Sequence, residues 1–176
     1  IYKEKKKEKI EAFLEIVKLV QPSLTKDQIA APELVNVLNP DAYVPDGYVF
    51  ESKAELLGAL LHTGNQSNYR KLIVGKGWGG INDQGVLDTS RWDAFIARMI
   101  NEGVITKADY DFAQATWDLL ETIKPDAQRA HKKLYGYYFN EITAQEFDTP
   151  FGTYPGGYVP AKIDSSRSMD HAEKER

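Results

Sequence analysis

A chain of 176 residues with 42% hydrophobic side chains is long enough to bury a core and short enough to form one domain. It contains no cysteine, which excludes disulfide bonds and cysteine-ligated zinc, and no apolar run approaches the roughly eighteen residues that a membrane-spanning helix requires. The net charge of −4 argues against a broad nucleic-acid-binding surface, because phosphate binding depends on net positive patches.

The first predicted helix spans residues 3–20 and begins with a lysine-rich run at residues 3–9. Helical spacing is followed by its apolar side chains, Ile10, Phe13, Leu14, Val17 and Val20. The lysine run is typical of a solvated helix face rather than of a phosphate or membrane contact. Because the chain begins at Ile1 and a charged helix follows instead of an apolar signal segment, we expect a piece of a longer protein without a signal peptide.

Short elements are predicted next. Residues 25–38 contain two helical pieces separated by Pro32, and residues 41–51 carry turn signals that are typical of a loop.

Two helices are predicted between residues 52 and 74. Ser52 opens the first with a capping-box pattern, and this helix runs to about His62. Asn65 or Ser67 caps the second. Clustered glycines then predict a loop over residues 75–89.

The clearest amphipathic helix covers residues 90–102, and its cap is expected at Ser90. One face carries its large apolar side chains, Trp92, Phe95, Ile96, Met99 and Ile100.

Thr106 and Asp109 cap the following helix, which Pro125 is expected to break or kink. A separate helix is predicted over residues 126–139.

These elements predict an all-α fold, an irregular bundle of about six to eight helices with long loops rich in glycine, proline and aromatic residues. The core is expected to hold the three tryptophans, and the longest loops lie at residues 40–51, 75–89 and 143–163. We divide the chain into an N-terminal charged helix (1–22), a helical domain (23–163) and a disordered polar tail (164–176).

Two stretches of unusual composition, residues 61–79 and 149–160, supply the candidate binding residues. These residues are His62, Asn65, Ser67, Asn68, Arg70, Lys71, Trp78, Tyr154 and Tyr158. We expect the polar members between residues 62 and 71 to share one exposed face that holds a phosphate, a carboxylate or a partner loop. The alternative is that the same side chains form hydrogen bonds that lock two helices together.

The sequence signals for a catalytic or cofactor-binding site are weaker than those for a binding surface. The glycines of residues 75–80 do not follow a strand, so a tight turn that packs Trp78 against the core is favoured over a phosphate-binding loop. His62 is a candidate general base, but its position at a helix end favours a structural role, in which the helix dipole stabilises it. The acidic residues between Asp109 and Glu121 lack the histidines of a bundle di-metal site and are read as a solvated face. We therefore assign no catalytic residue, metal or cofactor.

Basic and aromatic side chains also mix at residues 129–138. Such a mixture can bind single-stranded nucleic acid through stacking and charge. Tyrosines at a helix end more often belong to the core and its rim, and that role is favoured here.

Four segments, GALLHTGNQSNYRKLIVGKGWG, WDAFIARMINEGVITKADYDFAQATWDLLE, KPDAQRAHKKLYGYYF and TPFGTYPGGYVPA, resemble a domain of very large phage and prophage polyvalent proteins, the large polyvalent protein-associated domain. The resemblance covers about residues 50–163. It implies a helical module of a multidomain phage protein, cytoplasmic or virion-associated, or injected with DNA. Its partners would be other domains of the parent protein or phage proteins, and the resemblance carries over no catalytic residue.

The leading hypothesis is therefore a non-catalytic interaction or architectural module that does not enter a membrane. Two alternatives stay open. One is an enzyme acting on nucleic acid or a nucleotide with His62 as base, and the other is a nucleic-acid-binding module.

Overall fold

The computed structural model describes residues 2–19, 50 and 52–160. The two helices predicted within residues 25–38, most of the 41–51 loop and the polar tail lie outside the described residues.

Five α-helices and one short β-hairpin form the described part of the chain. The helices are α1 (Tyr2–Val17), α2 (Lys53–Leu60), α3 (Gln66–Gly75), α4 (Ser90–Asn101) and α5 (Lys107–Tyr135), with a 3-10 turn at Leu61–Thr63. The hairpin pairs β1 (Phe147–Thr149) antiparallel with β2 (Gly152–Tyr154). The predicted helical character is confirmed. The fold is not purely α, however, because the loop predicted after residue 143 contains the hairpin, and the described part has fewer than six helices.

The starts of α2 and α3 follow from their capping side chains. The Ser52 hydroxyl accepts a hydrogen bond from the Glu55 amide at 3.3 Å, as the capping-box pattern predicts. The Asn65 side chain accepts one from the Asn68 amide at 2.8 Å, so Asn65 rather than Ser67 caps α3.

Helix α4 buries the apolar face predicted for it, with Trp92, Phe95 and Met99 inside. Its cap is Thr89, one residue before the predicted position. Ser90 instead lies in the first turn, where its amide and hydroxyl donate to Asp88 at 3.0 and 2.7 Å.

Helix α5 is continuous through Pro125, where two separate helices were expected. A proline removes one backbone hydrogen bond, here to the carbonyl of residue 121. Both Pro125 and Glu121 are exposed, so water can hydrate the carbonyl that loses its partner. The helix ends at Gly136, whose φ of 81° is the left-handed conformation that glycine adopts most readily.

An aromatic cluster forms the centre of the core. Phe50 stacks on Phe95 with ring centroids 5.4 Å apart, and Trp78 meets Trp92 edge-on at 4.9 Å. Trp117 belongs to a second, smaller cluster with Ala113 and Val159. The prediction that all three tryptophans are core residues is confirmed.

A buried ion pair connects α2 to the start of α5. Lys53 and Asp109 lie 3.0 Å apart with side chains only 4% and 0% exposed, and the Lys53 amine also donates to the Val104 carbonyl. The same Asp109 oxygen accepts from the Thr106 amide at 2.8 Å. The predicted capping box is confirmed, but the assignment of Asp109 to a solvated acidic face is wrong, because its carboxylate is needed inside to pair with Lys53.

Within the described ranges, no helix combines the length and apolar character needed to cross a membrane.

Candidate functional site

The two asparagines of the candidate site face the interior. Asn65 and Asn68 are 1% and 0% exposed. The Asn65 amide group donates to the Gly157 carbonyl at 3.0 Å, and that of Asn68 donates to the Val159 carbonyl at 2.9 Å. The prediction of a single exposed polar face is therefore wrong for these two residues. The alternative, in which these side chains form structural hydrogen bonds, agrees better with the structure. Their partner, however, is an extended segment and not a second helix.

We call that extended segment, residues 155–160, the C-terminal strap. The Gly64 carbonyl accepts hydrogen bonds from the amides of Gln145 at 2.8 Å and Gly157 at 2.9 Å. The Gln114 side chain pairs with both the amide and the carbonyl of Gly156, at 3.0 and 3.1 Å. Side chains of Asn65, Asn68 and Gln114, together with the Gly64 carbonyl, thus bind the strap backbone at Gly156, Gly157 and Val159.

Glycine is required where the strap crosses α5. A Cβ atom on Gly157 would overlap the Trp117 side chain, and one on Gly64 would overlap the Gly157 backbone. The two stretches of unusual composition are thus the two sides of one contact. Asn65, Asn68, Gly64 and Gly157 serve this close backbone packing.

Two aromatic candidates are also structural. Trp78 is buried, and its amide closes the turn after α3 by donating to the Ile73 carbonyl at 2.8 Å. Tyr154 is buried and its hydroxyl donates to Asp111 at 2.7 Å, which ties the hairpin to α5. Burial, followed by that hydrogen bond, raises the pKa of Tyr154 to about 12. Tyr158 differs from both, since 37% of it is exposed.

The outer side of α3 carries the remaining candidates. Ser67, Arg70 and Lys71 are exposed and line a cavity of about 740 Å³, which we call the basic cleft. Its apolar lining includes side chains from α3 and from the following turn, Val74, Ile81 and Leu87. Arg70 and Lys71 have no ion-pair partner among the described residues.

The opposite wall of the basic cleft is an ordered turn. Ile81 and Leu87 form an isolated β-bridge, and the Asn82 side chain accepts hydrogen bonds from the amides of Gln84 and Val86, both at 2.9 Å. These bonds hold the turn in one conformation beside α3. The cleft therefore has two fixed walls.

His62 borders this positive surface. It is half-buried, and burial together with the charges of Lys71 and Lys76 lowers its pKa below the ordinary value of 6.5. Its neutral form therefore predominates at pH 7. No hydrogen bond joins it to a carboxylate within the described residues, so the histidine–carboxylate pair expected of a general base is not provided there.

A second cavity, of about 270 Å³, lies between α4 and the hairpin and escaped the sequence analysis. Tyr69, Tyr110 and Phe147 line it, and the carboxylates of Asp93 and Asp148 stand at its edge. Burial, followed by the charge of Asp109, raises the pKa of Tyr110 to about 12, so its hydroxyl stays protonated at neutral pH. No spacing in the sequence relates these residues, because four separate elements supply them.

No group of three or more acidic, histidine or cysteine side chains within the described ranges could hold a metal ion. Comparison of the chain with protein-family models, with curated proteins and with solved structures yields no match.

Proposed function

We propose that the chain is a non-catalytic interaction module of a large phage-derived multidomain protein, and that its basic cleft binds an acidic segment of another domain or of a phage protein. The observation that carries this proposal is the pair of exposed cations, Arg70 and Lys71, beside an apolar lining that remains open. The phage origin, and with it a cytoplasmic or virion-associated location, is supported by the resemblance of residues 50–163 to polyvalent protein domains.

The chemistry of the cleft matches an acidic amphipathic segment. Val74, which lines the cleft, is 44% exposed, so apolar side chains of a partner could bury it. Arg70 can bind a carboxylate through two parallel hydrogen bonds, and Lys71 adds a second positive charge. A segment with carboxylates on one edge and leucines on the other would satisfy both features.

The position of the cleft favours binding without rearrangement. Asn65 and Asn68 fasten the inner side of α3 to the C-terminal strap, while the outer side of the same helix holds the cations. A surface that is already fixed loses little conformational entropy when a partner binds. The buried asparagines therefore support the cleft although they do not contact the partner.

Fluorescence anisotropy with a labelled peptide of alternating glutamate and leucine clusters tests the proposal. The double substitution Arg70→Glu/Lys71→Glu should weaken binding by about tenfold or more, since each exposed ion pair contributes up to about 1 kcal/mol. A matched control, Lys5→Glu/Lys6→Glu on α1, changes the net charge equally and should leave the affinity unchanged.

Equal loss in both variants would mean that only the overall charge matters, and it would refute the cleft as the binding surface. Failure of the wild-type chain to prefer the glutamate peptide over its glutamine counterpart would do the same.

A further inference from the structure

A second exposed surface lies at the far end of α5. Leu134, Tyr135, Tyr137 and Tyr138 are 76%, 64%, 62% and 55% exposed, and we call them the tyrosine patch. The expectation that these tyrosines belong to the core and its rim is wrong, because α5 extends past the body of the domain and buries no residue after Trp117.

The tyrosine patch is nevertheless held in a defined shape. After Gly136 the chain folds back along the helix, and the Gln128 side chain pairs with both the amide and the carbonyl of Phe139, each at 2.9 Å. His131 Nδ1 lies 2.8 Å from the Tyr137 carbonyl oxygen. The backbone of residues 137–139 is thus fixed against the last turns of α5.

Two of the three tyrosine rings contact the same histidine. The His131 ring lies 4.7 Å from the Tyr135 ring, 5.1 Å from Tyr137 and 5.5 Å from Phe139 between centroids. One side of Tyr135 and of Tyr137 therefore contacts the histidine, while most of the surface of both residues faces solvent. Folding stability does not require such exposure, since apolar rings gain most from burial.

Positive charge surrounds the rings. Residues 124–141 include four cationic side chains and two carboxylates. The two carboxylates, Asp126 and Glu141, pair with Arg129 and Lys124. Lys132 and Lys133 have no ion-pair partner among the described residues, and the Lys132 amine lies 4.5 Å from the centre of the Tyr138 ring.

A cavity of about 540 Å³ opens beside Tyr138. Gln128, Arg129 and Phe139 line it, together with the paired Lys124 and Glu141. A flat group stacked on Tyr138 would therefore have room beside it and a guanidinium group nearby.

We propose that the tyrosine patch binds single-stranded nucleic acid, with bases stacked on Tyr135, Tyr137 and Tyr138 and phosphates paired with Lys132 and Lys133. Exposed aromatic rings interleaved with cations are the chemistry that holds unpaired bases and their backbone. A duplex would not fit, because its base faces are stacked inside the helix. An acidic peptide would pair with the lysines, but it would offer no planar group to stack on the tyrosine rings.

The acidic balance of the whole chain does not oppose this local interaction strongly. Charges farther away than about 8 Å are largely screened at physiological ionic strength, whereas Lys132 and Lys133 would contact the phosphates directly. The partial negative charge at the C-terminal end of α5 is also offset by these two lysines in its last turn.

Fluorescence anisotropy with labelled oligothymidine, oligouridine and a DNA duplex of equal length tests the proposal. Tyr135→Leu/Tyr138→Leu should weaken single-strand binding by about tenfold or more, because two stacking rings are lost while the local apolar character remains. The control Tyr158→Leu removes a partly exposed tyrosine elsewhere and should have no effect.

A second variant, Lys132→Glu/Lys133→Glu, should reduce the salt dependence of binding, lowering its logarithmic slope by roughly 1.4 for two phosphate contacts. Lys5→Glu/Lys6→Glu is its charge-matched control. Thermal unfolding followed by circular dichroism establishes that each variant is folded.

Ring-dependent binding of either oligothymidine or oligouridine supports the proposal, and the stronger of the two identifies DNA or RNA. Equal binding of the duplex, no effect of the tyrosine substitutions, or no binding at low salt would overturn it. Tyrosine-dependent binding of the glutamate–leucine peptide instead of the oligonucleotides would reassign the patch to a protein partner. Because Arg70→Glu/Lys71→Glu should leave oligonucleotide binding intact, failure of one proposal is distinguishable from failure of the other.

Discussion

Both halves of α5 carry aromatic side chains, but they place them in opposite environments. In the first half Tyr110, Phe112 and Trp117 are buried against α2, the hairpin and the C-terminal strap. At the other end Tyr135 and the two tyrosines after Gly136 remain mostly exposed. One continuous helix therefore serves as a core element and then as a support for a surface, so helical periodicity alone does not reveal which aromatic residues stabilise the fold.

The largest expected effect comes from truncating an aromatic residue of the buried half. Trp117→Ala should lower the free energy of unfolding by about 4 kcal/mol, since it leaves a cavity beneath the strap and removes the indole hydrogen bond to the Leu61 carbonyl. Tyr135→Ala should change it by less than about 0.5 kcal/mol. Urea denaturation of both variants measures the difference, and similar losses would erase the distinction between the two halves.

Buried and exposed ion pairs should also differ in how much they contribute to stability. Asp109→Asn should destabilise the protein by about 3 kcal/mol, because it removes the buried counter-ion of Lys53. Asp126→Asn, which affects an exposed pair with Arg129, should cost less than about 1 kcal/mol. If urea denaturation shows that Asp109→Asn is neutral, the buried pair contributes no more than the exposed one.

A smaller difference in stability is expected between substitutions on the buried side and on the exposed side of α3. Asn68→Ala should cost about 2 kcal/mol, since the Val159 carbonyl of the strap loses its donor in a buried position. Ser67→Ala on the outer side should cost less than about 0.5 kcal/mol. Thermal unfolding and limited proteolysis near the strap would show whether Asn68 holds it. Unchanged proteolysis in the Asn68 variant would contradict that role.

The smallest effect is expected at half-buried His62. Burial and two lysines lower its pKa in the folded state, so the unfolded state binds a proton more readily. Stability should therefore be unaffected by this group above pH 7 and should fall as the pH drops through about 6.5, the ordinary pKa of histidine. His62→Gln should flatten that decline in urea denaturation between pH 7.5 and 5.5. An unchanged pH profile would mean that the histidine is solvated in the folded state.

Local patterns in the sequence predicted much of the fold correctly. The caps at Ser52 and Thr106 depend on side chains that bond to amides three residues away or less, and the buried face of α4 follows the helical repeat. Pro125 was misjudged because the cost of a proline depends on whether the freed carbonyl is exposed. The hairpin was missed because its strands are only three residues long, too short for an alternating pattern.

The candidate site was only partly predictable. Its unusual composition was visible, but Asn65 and Gly157 are separated by 92 positions, and no local rule relates them. The sequence does not distinguish an exposed polar residue from one that hydrogen-bonds to the backbone of the strap. Only the fold separated Ser67, Arg70 and Lys71, which are exposed, from Asn65 and Asn68, which are not.

The sequence by itself determined where most of the described helices begin and which tryptophans form the core, because capping and amphipathic periodicity act between residues that are close along the chain. The tertiary structure alone decided which polar residues are buried, that Lys53 pairs with Asp109, and that Tyr135, Tyr137 and Tyr138 stay in solvent. Those outcomes depend on which distant segment covers each face, and that is settled only when the strap, the hairpin and α5 pack together.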